Sequence, residues 1–546
     1  MLCLLTVTSS FAAAYEIFYD ESLTPRQDST INDKPLDLLG LLDRIAFVCD
    51  DDSVRNLLCY EHTHTTGLRM LGIMQMDMDI QLMLEVKYDY VKKLRRAQTD
   101  NQADSLVVFD QLAMARNHVL VNAEVIGGPN EKIVPSWTMN ETDAACPYPL
   151  FGEGDVPDFY KIKISYANSK LDDSELLRLI RNSRPDRLDD RWLTKCRHVF
   201  MSALKSQAQD IPVQLMSDLL DAVVDIYEKI HIDVLFNMNR DLSSSTSSST
   251  TVLNNRRHNE NEITKLSANS GLTNLQERGV QKAINYGAQI GLVHDVNLAK
   301  QNVTKLLKAV KSHLKQRSQS IRPNLSLING SSMNEIKLNF NQSIDYPGYD
   351  WFVTSIFFLM HCDEVRAWRW LRTFSLLLPS GFLWCARLYN SPFISADMVQ
   401  YTIHPIYAGT THAVELIIEN EMSQVFFAFR MSGLAPSHIA YQWIKQCFWN
   451  YLDWPEIVTY LTLCILYGID YQVYYCVSIF KYLQNDIIKQ HSARNLLPFL
   501  KCHQIRGFSA RDYIDFMVSL EKRYRSILMP ELKELVCFST NNRNTN

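Results

Sequence analysis

Apolar residues recur every three to four positions through most of the chain, the spacing of helices with one buried face. Leu215, Leu219, Val223, Ile226 and Ile230 form one such stripe, predicting a helix over residues 212–236. Leu306, Leu307, Val310 and Leu314 form another within a basic helix over 300–322. Shorter patterns predict helices over 38–46 behind Pro35, over 174–182 and over 192–205, and a Met- and Leu-rich helix over 70–96 ending in Lys92, Lys93, Arg95 and Arg96. From residue 349 onward helix starts and stops are legible. Asp453-Trp454-Pro455-Glu456 reads as a start, Gly468 as a stop and Asp470 as the next start. Ser509 and Asp512 precede a stripe of Tyr513, Phe516, Met517, Leu520, Tyr524 and Ile527, with Pro530 expected to end that helix. No stretch after residue 340 alternates as a strand does, so the second half is predicted to be all-α.

Two interruptions divide this pattern. Residues 119–166 carry Gly127, Gly128, Pro129, Pro135, Pro147, Pro149 and Pro157, an irregular connection with a short strand expected at 160–166. Residues 241–262 are Ser/Thr- and then Asn/Arg-rich, the composition of a linker. The expected organisation is a helical N-terminal region of repeat or bundle type over 1–240, a linker over 241–262, and an all-helical domain over 263–546. The most apolar stretch, 457–483, is interrupted by Gly468 and Asp470 and by many polar residues, so it predicts two buried helices and no transmembrane span.

Composition narrows the class without naming a function. Hydrophobic residues make up 47% and charged residues 21% of 546, which fits a folded chain with a large core. Only 18 Gly and 18 Pro argue against all-β architectures and Gly-rich nucleotide folds. Lys and Arg total 55 against 60 Asp and Glu, a net charge of −5, so no basic excess points to nucleic acid. The twelve Cys form no C-x-x-C and read as buried thiols of a reducing, cytoplasmic setting. Residues 1–14 are apolar but lack the basic start of a signal peptide.

No catalytic, cofactor or metal site follows from residue chemistry alone. His62-Thr63-His64 places its imidazoles two apart, which cannot share a helix face, and reads as a loop. His361-Cys362-Asp363 is adjacent in sequence, reads as a helix end, and is no nucleophile pair. Phosphate-cradling and nucleophile-elbow motifs are absent from the sequence.

The second half nevertheless carries a resemblance. The stretch Phe429-Arg-Met-Ser-Gly-Leu-Ala-Pro-Ser437, then Trp443, Asn450-Tyr-Leu-Asp-Trp454 and Leu466-Tyr-Gly468, is similar to the late helices of TBC domains. Pro347-Gly-Tyr-Asp-Trp351 and Ser355-Ile-Phe-Phe-Leu-Met360 resemble the segment where those domains read G-Y-x-Q-G-M-N. The likeness covers about residues 345–535 and is strongest to the divergent broad-minded branch. TBC domains are all-helical GTPase-activating proteins for Rab GTPases, so the resemblance implies that fold and a Rab-family small GTPase as partner. The broad-minded branch further implies a cell-cycle-related kinase partner, with roles in cilium assembly and Hedgehog-type signalling, at the cilium or basal body.

An active TBC domain uses two fingers. An Arg from I-x-x-D-x-x-R stabilises charge on the γ-phosphate, and the Gln of Y-x-Q orients the attacking water; such an Arg is worth on the order of 10³ or more in rate. Here Tyr349 matches the Tyr, but Trp351 stands at the Gln position, and an indole has a donor and no acceptor. No I-x-x-D-x-x-R occurs between residues 299 and 349. The resemblance therefore implies a non-catalytic TBC-like scaffold. The alternatives are an active protein with a displaced finger drawn from Arg366, Arg369, Arg372 or Arg387, and a purely structural helical scaffold.

Overall fold

The computed structural model describes residues 71–75, 77–94, 175–182, 190–206, 213–230, 256–328, 348–389, 404–490 and 507–541, with isolated positions beside them. Among these there is no β-strand. The N-terminal part contributes α1 (Met78–Tyr88), α2 (Glu175–Asn182), α3 (Asp190–Ser206) and α4 (Val213–Ile230). The middle contributes α5 (Arg256–Ser267), α6 (Asn274–Gln289) and the long α7 (Val296–Ile328). Then come α8 (Trp351–Leu359), α9 (Glu364–Phe374), α10 (Pro379–Leu383), α11 (Cys385–Tyr389), α12 (Pro405–Glu421), α13 (Ser423–Met431), α14 (Pro436–Lys445), α15 (Trp454–Tyr467), α16 (Tyr471–Tyr482) and α17 (Gln484–Lys489). A 3₁₀ turn, Ala510–Tyr513, leads into α18 (Ile514–Asn541).

The stripes read from the sequence are largely buried where their side chains are described; Ile527 is exposed, and the side chains of Ile226 and Ile230 lie outside the described residues. Leu215, Leu219 and Val223 of α4 face α9 and α15. Leu306, Leu307, Val310 and Leu314 of α7 are buried where that helix meets α5, α6 and α9. Further along, α12 packs against α14, α16 and α18. One contiguous core runs from Met78 to Leu532 and takes in residues from both sides of the Ser/Thr-rich stretch. Seven of its largest fully buried side chains are Trp. A smaller cluster, including Leu71, Met74, Ile80 and Leu84, lies beside α1.

The apolar 457–483 stretch is the helix pair α15 and α16, turned by Gly468 at φ 136°. No helix among the described residues is long and apolar enough to cross a membrane. The described Cys are free, and Cys196, Cys385, Cys447, Cys464 and Cys476 are buried. Burial pushes the Cys385 thiol up to about 12.

Several local expectations need correction. The helix read over 70–96 is broken twice. Asp77 leaves helical geometry and accepts from Asp79 N and Ile80 N as the cap of α1, and Asp89 turns left-handed at φ 50°. Pro530 does not end its helix; it lies inside α18, where buried Leu528 and Leu532 flank it, and their packing offsets the missing N–H. The starts at Asp453, Asp470 and Ser509 are correctly placed, yet none of these side chains makes a cap bond. Ser509 Oγ instead donates to Glu456 Oε1, and Asp470 is buried 3.5 Å from Arg525 Nη1. Helix α5 begins at Arg256, within the stretch read as linker. The strand expected at 160–166, the helix at 38–46, the His62–His64 pair and residues 1–14 lie outside the described residues.

Candidate functional site

The loop that carries the expected finger position enters α8 from the Tyr346 side. Asp350 caps the helix, its carboxylate accepting from Val353 N (3.1 Å) and from Trp384 Nε1 (2.8 Å). Its partners on either side, Tyr349 and Trp351, are 1% and 2% exposed. Tyr349 donates its backbone N–H to Asp79 Oδ1 (2.9 Å), and its hydroxyl bonds Thr354 Oγ1 (2.7 Å). Its ring lies against Gly279 of α6, where a Cβ would come within 2.5 Å of Tyr349 Cδ2; only glycine permits that approach.

Trp351 points inward. Its indole N–H donates to the same Asp79 Oδ1 (3.3 Å). Its ring packs against Tyr349 (centroids 4.6 Å apart) and Trp449 (5.1 Å). Trp449 in turn meets Tyr286 at 5.2 Å and donates to Ser355 Oγ (2.7 Å). These offset and edge-to-face contacts each add roughly 0.5–1.5 kcal/mol beyond area burial. The remaining space beside the loop is a cavity of about 40 Å³, lined by Leu272, Gln276, Leu307, Tyr346, Tyr349 and Asp350. That is room for a few waters.

Asp79 does not stand alone. Lys445 Nζ lies 3.3 Å from carboxylate oxygens of both Asp77 and Asp79, and all three side chains are buried. Burial pulls the Lys445 pKa down, but the two carboxylates more than offset this and hold the ammonium charged. Beside them Met78 N donates to Gln446 Oε1 (3.1 Å). Tyr346 OH also reaches Asp79 Oδ2 at 3.5 Å. The first turn of α1 is thus fastened at once to the finger loop and to the end of α14. Burial pushes the Asp350 carboxyl up to about 6, against the pull of the Trp384 and Val353 bonds.

The structure does not bring the four candidate arginines to this loop. Arg366 binds Asp221 (2.6 Å) and Asp218 (3.2 Å) of α4, and Arg369 lies 3.6 Å from Asp221. Arg372 binds Glu262 of α5 at 2.9 Å, sharing it with the Trp368 indole. Arg387 is buried, donates to Ser375 O (3.2 Å), and is pulled down to about 9 by burial and by nearby Arg317. His361 and Cys362 form a left-handed turn (φ 57° and 61°) ahead of Asp363, the cap of α9. No cluster of potential metal ligands occurs among the described residues. Sequence reading missed Asp77, Asp79 and Lys445; the one available signal was Asp77 followed by a helix-forming run, which marks a helix start and says nothing of Lys445.

Comparison with known proteins agrees with this architecture. The family model described as "Broad-minded protein Rab TBC domain" matches residues 74–535, beginning at the segment that supplies Asp77 and Asp79. Protein broad-minded of Danio rerio is 32% identical over 540 residues, covering 98% of this chain and 39% of that protein. Protein broad-minded of Mus musculus is 31% identical over 534 residues, covering 96% of this chain and 38% of that protein. The chain thus spans about two-fifths of the length of these curated relatives. No solved structure gives a significant match. The chain belongs to the broad-minded family of TBC-domain proteins.

Proposed function

We propose that this member of the broad-minded family is a non-catalytic TBC-like scaffold that binds a small GTPase, a regulatory kinase, or both. The observation that carries this reading is the state of Trp351: a buried indole, donating to Asp79 and wedged against Trp449, stands at the position of the water-orienting amide. Such a side chain presents no acceptor and no exposed donor to a nucleotide. The arginines that a displaced finger would need are held by carboxylates of α4 and α5 or buried. The site residues Tyr349 and Trp351 are then structural remnants of a Y-x-Q finger, and partner binding falls to other surfaces. By family membership the scaffold serves cilium assembly and Hedgehog-type signalling, at the cilium or basal body, with a cell-cycle-related kinase among its partners. In this reading residues 263–546 form the TBC-like part and the preceding helices brace it.

Single-turnover GTP hydrolysis by a Rab panel, with and without the purified chain, tests the absence of catalysis. Unchanged rates are expected, and marked acceleration of any Rab overturns the reading. Pulldown with nucleotide-locked GTPases separates a GTPase-binding scaffold from a purely structural one: nucleotide-dependent capture is expected, and its absence assigns the chain to the structural class.

A further inference from the structure

The long helix α7 carries a charge pattern that the proposed function leaves unused. Its 33 residues hold five Lys, two Arg and no Asp or Glu, in a chain where acids outnumber bases by 60 to 55. At 100° per residue Lys300, Lys305, Lys308, Lys311 and Lys315 fall within an arc of about 140°. A rise of 1.5 Å per residue spreads them over about 22 Å. The buried stripe of Ala299, Val303, Leu306, Val310 and Leu314 lies on the other side; Lys300 and Lys315 are exposed, Lys305, Lys308 and Lys311 are half-buried, and buried Ser312 marks the side of the arc that meets α5. Lys300 Nζ meets Gln281 Oε1 (2.6 Å), and Lys311 Nζ donates to Gly271 O (3.2 Å). Lys305, Lys308 and Lys315 have no carboxylate within ion-pair distance. At the start of the same helix Val296 and Leu298 are exposed, Leu298 at 53%, and by the same geometry they flank the two edges of the lysine arc.

We propose that this face docks on an anionic lipid surface. A convex row of lysines offers point charges on flexible stems, without the planar forks or the groove that would select one carboxylate or phosphate geometry. That suits a plane of mobile headgroups better than a shaped acidic protein. Val296 and Leu298 supply short apolar anchors at one end, as interfacial helices do. Each lysine brought to an anionic membrane strengthens binding about fivefold, an effect confined to roughly a Debye length.

The test is co-sedimentation of the full chain with phosphatidylcholine vesicles, with and without phosphatidylserine, at low and raised salt. Binding is expected only to the phosphatidylserine vesicles and is expected to weaken with salt. The variant K305Q/K308Q/K315Q is expected to lose about 100-fold in affinity by the per-lysine increment. The control K522Q/K533Q, on exposed positions of α18, is expected to bind as the parent does. Circular dichroism melting establishes that each variant is folded, and K305R/K308R/K315R, which keeps the charge, is expected to retain binding. No vesicle binding at low salt, equal binding to neutral vesicles, or full binding by the folded Gln variant overturns the proposal. Lysine-dependent capture of polyglutamate without vesicle binding also overturns it, and assigns the face to an acidic protein.

Discussion

Replacing Trp351 by Gln puts an amide at the proposed finger position, and the burial of that position predicts a loss of stability with no gain of catalysis. Removing a fully buried Trp costs about 3–5 kcal/mol through lost transfer energy and the cavity left behind. The cavity at this site cannot close easily, since Tyr349 rests on Gly279 and Trp449 is fixed by Ser355. Gln keeps part of the apolar stem and an N–H that can reach Asp79, which returns roughly 1–2 kcal/mol. The net loss is about 1–4 kcal/mol. Equilibrium urea unfolding of parent and Trp351→Gln measures it, and single-turnover GTP hydrolysis measures the second half of the prediction, no gain of activity. The reasoning fails if the variant loses less than about 1 kcal/mol, because the side chain is then not packed as described. It fails equally if the new amide accelerates hydrolysis, because the position then faces a nucleotide.

Other perturbations read different parts of the same assembly. Lys445→Met leaves Asp77 and Asp79 buried without their cation and should cost about 3–5 kcal/mol in urea unfolding, with much of it recovered when both Asp are changed to Asn. Gly279→Ala improves helix propensity by about 1 kcal/mol, yet its Cβ meets the Tyr349 ring at 2.5 Å, so a net fall in melting temperature is expected. Gly468→Ala, at φ 136° and 2.9 Å from Asp470 Oδ1, should lose about 1–3 kcal/mol. Burial, only partly offset by Arg525, lifts the Asp470 carboxyl to about 6, above its unfolded value. The folded chain therefore binds that proton more tightly, and stability from this group falls as pH rises from about 4 to 6. Asp470→Asn should accordingly melt higher than the parent above pH 6, with the difference shrinking in acid; a pH-independent difference would contradict this.

Much of the fold was written in local pattern. The stripes of α4 and α7, the split of 457–483 at Gly468, and the absence of strands among the described residues of the second half all follow from side-chain spacing and turn residues, which act within a few positions. The misreadings have the opposite origin. Pro530 sits inside α18 because Leu528 and Leu532 are packed, a tertiary effect invisible to a local breaker rule. The break at Asp89 rests on a left-handed residue that Asp tolerates and that no periodicity reveals. For the site, the resemblance led to the expectation that Trp351 stands where a TBC enzyme carries an amide. It could not show that the indole turns inward, since the acceptor that holds it is 272 residues away in Asp79.

The fastening of α1 has a temporal side. Met78 and Gln446 are 368 residues apart, and so are Asp77 and Lys445. At synthesis rates of 5–20 residues per second, roughly 20–70 s pass between their emergence. Through that interval Asp77 and Asp79 lack their cation, and Met78 and Leu82 lack the late-emerging part of the core that buries them. A ribosome-bound chain stopped short of residue 445 should therefore expose this apolar segment to proteolysis and to chaperones, and release of the full chain should protect it in a single late step.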